Sequence, residues 1–218
     1  AWAVGGALHY YPAAHFTDGV LANFGLDARI GSAFGLKSQQ CAVPLDAGQC
    51  PAGEILEFPT TLWGFSLGAR FRIPFAAHTL TAVVGYGLQS FRIEAISPTV
   101  SAPEIPDVDY SFMRLGAEVR FVFGWFVTEL NFAYLPLFGT GQLSEPDWFP
   151  NNSGAGLEAG GVLGFLLADW VELRAAFEYR RFWFSLNPEP GDARIAGGAL
   201  DNYFKGSLGV AFYWPGSD

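Results

Sequence analysis

From Thr61 onward, apolar and polar positions alternate one by one. Trp63, Phe65, Leu67, Ala69, Phe71 and Ile73 form one series, and Gly64, Ser66, Gly68, Arg70 and Arg72 fall between them. A period of two describes a strand with two unlike faces. One face here is rich in aromatic residues, and the other mixes glycine with charge. A soluble sandwich keeps its apolar face inside. A transmembrane β-barrel turns that face to lipid and packs polar side chains in its lumen. The pattern predicts an all-β chain folded as a transmembrane antiparallel up-and-down β-barrel of eight to ten strands. The soluble sandwich is the alternative, and it predicts loops of similar length at both ends.

Nine strands can be read, at 2–11, 20–36, 61–73, 79–96, 110–122, 126–137, 155–167, 171–185 and 202–214. In the fourth, Leu80, Ala82, Val84, Tyr86 and Leu88 point outward. Near Ser90 the phase slips to Phe91 and Ile93, which predicts a β-bulge. The connections 12–18, 74–78, 123–125 and 168–170 are short. Segments 37–60, 97–109, 138–153 and 186–201 are long and rich in Pro, Asp, Asn, Gly and Ser. Short periplasmic turns and longer outside loops are the outer-membrane pattern. Trp125 and Trp170 sit by short turns, Trp63 and Trp183 by long loops, and Trp214 ends the last strand. Together they predict interfacial aromatic girdles.

Residues 1–214 read as one barrel domain and 215–218 as a tail. An odd strand count would leave the first and last strands parallel, whereas bacterial barrels are even and antiparallel. One further strand before Ala1, giving ten in all, is the expectation. An eight-stranded closure that leaves 1–11 outside is the alternative. No signal peptide is visible, so a removed leader or a start within a longer protein is expected.

Charged residues make up 15% of the chain, against roughly 25% in soluble domains, and the formal charge is −9. An acidic balance of this size excludes nucleic acid as a partner. No clean apolar run of about 18 residues is present, which argues against a helical span. The nearest candidate, 119–137, carries Arg120, Gly124, Glu129, Asn131 and Pro136, a spacing that suits a hairpin. Cys41 and Cys50, in one polar loop, predict a disulfide of about 2–3 kcal/mol on the loop-entropy account.

Sorting charge by strand face places basic residues inward at Arg29, Arg70, Arg72, Arg92, Arg114, Arg120, Arg174, Arg180 and Lys205. The inward acids are Asp27, Glu94, Glu118, Glu129, Glu158, Glu172 and Glu178. A nearly neutral set of this kind predicts a lumen plugged by an ion-pair network rather than an open porin. The long loops carry Asp46, Glu54, Glu57, Glu104, Asp107, Asp109, Glu145, Asp147, Glu189, Asp192 and Asp201 against Lys37 and Arg194. Such an acidic surface is a candidate for binding cations, with a plain solvated surface as the alternative. Arg181 reads as lipid-facing near the outer end, placed to reach lipid phosphate.

His9, His15 and His78 all fall near the short-turn side, so a hydrolase at the outer rim would lack its base. The stretch Gly154-Ala-Gly156-Leu-Glu-Ala159 opens a strand and does not join strand to helix, which excludes a dinucleotide fingerprint. No catalytic residue, cofactor or metal site is read.

The run Tyr203-Phe204-Lys205-Gly206-Ser207-Leu208-Gly209-Val210-Ala211-Phe212-Tyr213-Trp214 resembles the terminal-strand signal of outer-membrane barrels, although Pro215-Gly216-Ser217-Asp218 follow it. At the level of pattern the whole chain resembles the OmpA/OmpW-like small outer-membrane β-barrel superfamily. That resemblance transfers no functional residue. It implies residence in the outer membrane of a Gram-negative-type bacterium, with the long loops outside. His9-Tyr10-Tyr11-Pro12 and Asn23-Phe24-Gly25-Leu26 also resemble barrel domains at the C-terminus of larger envelope proteins. The expected function is non-enzymatic: a membrane anchor or docking subunit of an envelope assembly, in contact with outer-membrane lipid and protein partners. A narrow porin-like channel for small solutes or ions is the alternative.

Overall fold

The computed structural model describes residues 1–41, 55–96 and 105–214. Its alternating segments become β1 (Trp2–Tyr10), β2 (Phe24–Cys41), β3 (Ile55–Phe75), β4 (His78–Ile93), β5 (Val108–Phe123), β6 (Phe126–Gly139), β7 (Ser153–Ala168), β8 (Val171–Ser185) and β9 (Gly198–Phe212). Each strand pairs antiparallel with its neighbours in the chain, giving a nearly closed up-and-down barrel of nine strands. Among the described residues no helix is long and apolar enough to cross a membrane. Short 3-10 turns lie at Pro12–His15, Val20–Asn23 and Gly141–Ser144. The second of these explains why β2 begins at Phe24 and not at residue 20.

β2 and β3 run past the expected ends, to 18 and 21 residues. Tilted spanning strands need only about 9–11. Their ladder continues to Cys41 opposite Ile55, across one irregularity. Ala33 faces Leu62 and Leu36 faces Thr60, so β2 holds one extra residue there, and Gly35 takes the left-handed conformation at φ 66°. This is a bulge built on glycine, where a Cβ would be strained. Cys41 ends β2. Cys50 and the 215–218 tail lie outside the described residues, as does the pairing expected for Cys50.

The bulge expected near Ser90 does not form. β4 keeps one register with β3 from Ile93 to His78, and with β5 from Thr79 to Phe91. Phe91 and Ile93 therefore stay on the inward face with Gln89. The residues change from polar to apolar because the interior changes, not because the strand slips. Two other irregularities are real. β6 carries Phe138 as an extra residue against β5, and β7 carries Leu167 against β8. Both extra side chains are exposed. At the short-turn end, Phe75 faces His78 and Phe123 faces Phe126, so both connections are two-residue hairpins. Ala76 and Gly124 have φ of 51° and 62° there, as the hairpin turns that match strand twist require.

The radial order of side chains is the reverse of a soluble protein's. Arg70, Arg114, Glu118, Glu158 and Glu172 are buried, while Leu67, Leu115, Phe132, Leu163 and Phe177 are exposed. The barrel is left open at one place. β1 pairs with β2 and β9 with β8, and among the described residues no ladder joins β1 to β9. With nine alternating strands, those two edges run parallel to one another.

Candidate functional site

The interior is built in three layers, each set by strand parity. In the middle layer, β2, β3, β5, β7 and β8 bring their inward charges into one network. Asp27 accepts from Arg29 at 3.1 Å, lies 3.1 Å from His9 and meets Arg70 at 3.4 Å. Arg70 continues to Glu118 at 3.0 Å, and Arg29 also donates to Glu118. Arg114 stands 3.6 Å from Glu118 and 2.8 Å from Glu158. Arg180 closes the chain of pairs on Glu158 at 2.5 Å, with Gln89 at 2.6 Å and Glu178 at 3.4 Å. Buried charges in water-poor surroundings are tolerated in this paired form, and removing one partner strands the other.

The second layer lies toward the short-turn end. Arg120 bonds Glu172 at 2.5 Å and stands 3.8 Å from Glu129. Arg174 pairs with Glu129 at 2.8 Å and with Glu172 at 3.3 Å. Gly164 makes room for this cluster, because a Cβ there would come 2.2 Å from Glu172 Oε1. Two tyrosines close the floor. The Tyr213 hydroxyl donates to Glu172 at 2.7 Å, and the Arg72 guanidinium lies 3.8 Å from the centre of the Tyr11 ring. His9, His15 and His78 sit at this end, as expected. The His78 Nδ1 is engaged in accepting the Val122 backbone N–H at 3.2 Å.

The third layer, toward the long loops, goes beyond what the charge pattern predicts. It is an apolar core inside the barrel, formed by Tyr110, Phe112, Leu135, Phe182, Phe184 and Leu186 and sealed by Leu143 from the 3-10 turn after β6. The Tyr110 and Phe182 rings stand 4.4 Å apart, and the Tyr110 hydroxyl donates to Asp201. Composition carries no signal here, because both faces of these strand ends are apolar, and only the register continued from the charged layer places the rings inward. Phe182 and Phe184 continue the inward series of Glu178 and Arg180, and Phe112 and Tyr110 continue that of Arg114.

Of the charges expected in the lumen, Asp27, Arg29, Arg70, Arg114, Glu118, Arg120, Glu129, Glu158, Glu172, Arg174, Glu178 and Arg180 join the two networks. Arg72 lies on Tyr11 at the floor. Lys205 faces inward on β9 but makes no ion pair among the described residues. Arg92 is a correction. The unbroken β4 register turns it outward, where it pairs with Asp109 at 3.1 Å on the exposed rim. Glu94 is likewise exposed. Of the girdle tryptophans, Trp63, Trp125, Trp170 and Trp214 are exposed and Trp183 is half-buried. Between the long loops, Arg194 stacks 4.0 Å over Trp148. No group of three or more His, Cys, Asp or Glu placed to hold a metal occurs among the described residues.

No protein-family model matches the chain, and no curated protein and no solved structure matches it.

Proposed function

We propose that this chain is an outer-membrane β-barrel that serves as a membrane anchor or docking subunit of an envelope assembly. One observation carries the reading. The charges are buried as pairs while an aromatic and aliphatic belt faces outward. Such a belt in water would be an aggregation surface far above the few hundred Å² that soluble monomers expose. In lipid it is the ordinary barrel exterior. The non-conducting role is supported by the filling of the lumen: tyrosine floor, charge network and apolar core follow one another along the axis. No histidine lies at the long-loop rim, which favours docking over hydrolysis. A disulfide between Cys41 and Cys50 belongs to the same reading, as a clip on the longest hairpin.

The test is refolding into phosphatidylcholine vesicles with brominated acyl chains. Trp125 and Trp170 should be quenched, and the band should shift with heating on a gel. Unquenched tryptophan fluorescence in a folded, vesicle-free fraction would overturn the membrane reading.

A further inference from the structure

On the outward faces of the described strands the charged residues are Lys37, Glu57, Arg92, Asp109 and Arg181. Lys37 pairs with Glu57 at 2.5 Å and Arg92 with Asp109 at 3.1 Å. Arg181, on β8, is exposed and makes no ion pair among the described residues. Register sets Leu157 of β7 on one side of it and Asn202 of β9 on the other. The Tyr179 hydroxyl donates to Asn202 Oδ1 at 2.7 Å, which leaves the Asn202 amide nitrogen as a second donor at this level. Trp183, the next outward residue toward the long loops, places Arg181 beside the aromatic girdle. Below Arg181 the outward surface is hollow. The next outward residues of β7 are Ala159 and Gly161, with Phe132 and Leu130 of β6 on one side and Tyr179 and Phe177 of β8 on the other. They form a furrow of about 390 Å³ at Gly161, which continues past Ala175 as a second of about 360 Å³. Arg181 to Ala175 spans about 20 Å of strand.

We propose that this furrow seats an acyl chain of an anionic, phosphate-bearing lipid whose phosphate lies on Arg181 and Asn202. The proposal rests on the membrane reading above and adds a specific lipid site to it. Charge complementarity selects the head. An arginine among lipid-facing residues needs an anion, and its long side chain reaches toward the level where lipid phosphates lie. The furrow selects the tail. It is long, narrow and apolar, and its hydroxyls are already engaged: Thr128 donates to the Val162 carbonyl at 3.4 Å, and Tyr179 to Asn202. A free phosphate would leave the furrow unused. A second copy of the chain fits less well. Both carboxylates on the described outward strand faces, Glu57 and Asp109, are already paired, so a copy seated here would bury Arg181 without a counter-charge.

Native mass spectrometry of the full chain, refolded in detergent, tests this by counting retained lipid. The probes are phosphatidic acid and phosphatidylcholine with the same acyl chains, and glycerol phosphate as the head alone. One phosphatidic acid should be retained per chain, about fivefold over phosphatidylcholine, the preference that one arginine near a charged lipid surface supplies. Arg181→Gln should abolish the preference, whereas Arg92→Gln, whose arginine already has Asp109, should keep it. Gly161→Leu fills the furrow and should lose the lipid. It should still fold, because a Cβ there meets neighbours at an ordinary 3.6 Å. Four results would overturn the proposal. The two lipids could be retained equally, or the preference could survive Arg181→Gln. Gly161→Leu could retain lipid like the wild type, or glycerol phosphate could bind as well as the lipid, meaning a bare phosphate site. A dimer without lipid that Gly161→Leu dissolves would likewise overturn it and give the furrow to a second copy. Vesicle insertion of the same preparation separates the two readings. If the chain fails to insert, the membrane reading falls and this site with it. If it inserts without the preference, only the lipid site falls.

Discussion

Arg114 is 2% exposed, and Glu118 and Glu158 beside it are 4% and 1% exposed. A charge this deep depends on its partners, so a single substitution in these pairs costs more than one in a surface pair. Arg114→Met should cost about 3–5 kcal/mol, because it removes the cation shared by Glu118 and Glu158 and leaves the buried network with an uncompensated negative charge. Urea unfolding followed by tryptophan fluorescence measures this. A loss below about 1 kcal/mol would mean that the layer is solvated like a surface. Gly164→Ala should cost about 1–3 kcal/mol, since the new methyl must displace the Glu172 carboxylate. Unfolding of that variant at the wild-type urea concentration would contradict the packed cluster. At this scale the sequence was informative about Arg114, Glu118 and Arg180, whose parity is unambiguous. It misled at Arg92, because the strand-slip reading turned one outward arginine in.

Strands were legible because outward and inward residues differ sharply in β3, β5 and β8. Parity became unreadable where both faces turn apolar, at the outer ends of β4, β5 and β8. There an inward Phe91 or Phe182 looks like an outward one, and only pairing register separates them. The overshoot of β2 and β3 was hidden for another reason: polar residues such as Lys37, Gln39 and Glu57 read as loop, yet they pair across a ladder. Glu57, exposed in that outer hairpin, has its carboxyl held below the usual glutamate range by hydrogen bonds from Lys37 and Gln39. A depressed folded value means the contribution is present above the ordinary pKa and lost as pH falls through the folded one. Carboxyl NMR titration should show the low value, and Lys37→Ala should raise it. An unchanged titration in that variant would show that the hairpin is not paired there. Gly124→Ala should destabilise the β5–β6 hairpin by about 1 kcal/mol, because alanine strains at φ 62°. Equal stability would mean that the turn relaxes.

For the whole molecule, the central claim is a membrane barrel whose lumen is shut in layers. The apolar core at the long-loop end is as much a part of that plug as the ion pairs, and the two block differently. On the proposed reading, an ion would meet dehydration in the apolar layer and fixed counter-charges below it. Phe182→Ala removes a fully buried ring and should cost about 3–5 kcal/mol without opening a path, since the charge layer beneath still closes it. The measurement that decides is single-channel conductance of the refolded full chain in a planar lipid bilayer, with insertion confirmed on the same sample by heat-shifted gel mobility. The account predicts an inserted barrel that stays silent, and equally silent with Phe182→Ala. A steady, reproducible open level from the inserted wild-type chain would contradict it and make the Arg70, Arg114 and Glu118 layer the lining of a pore.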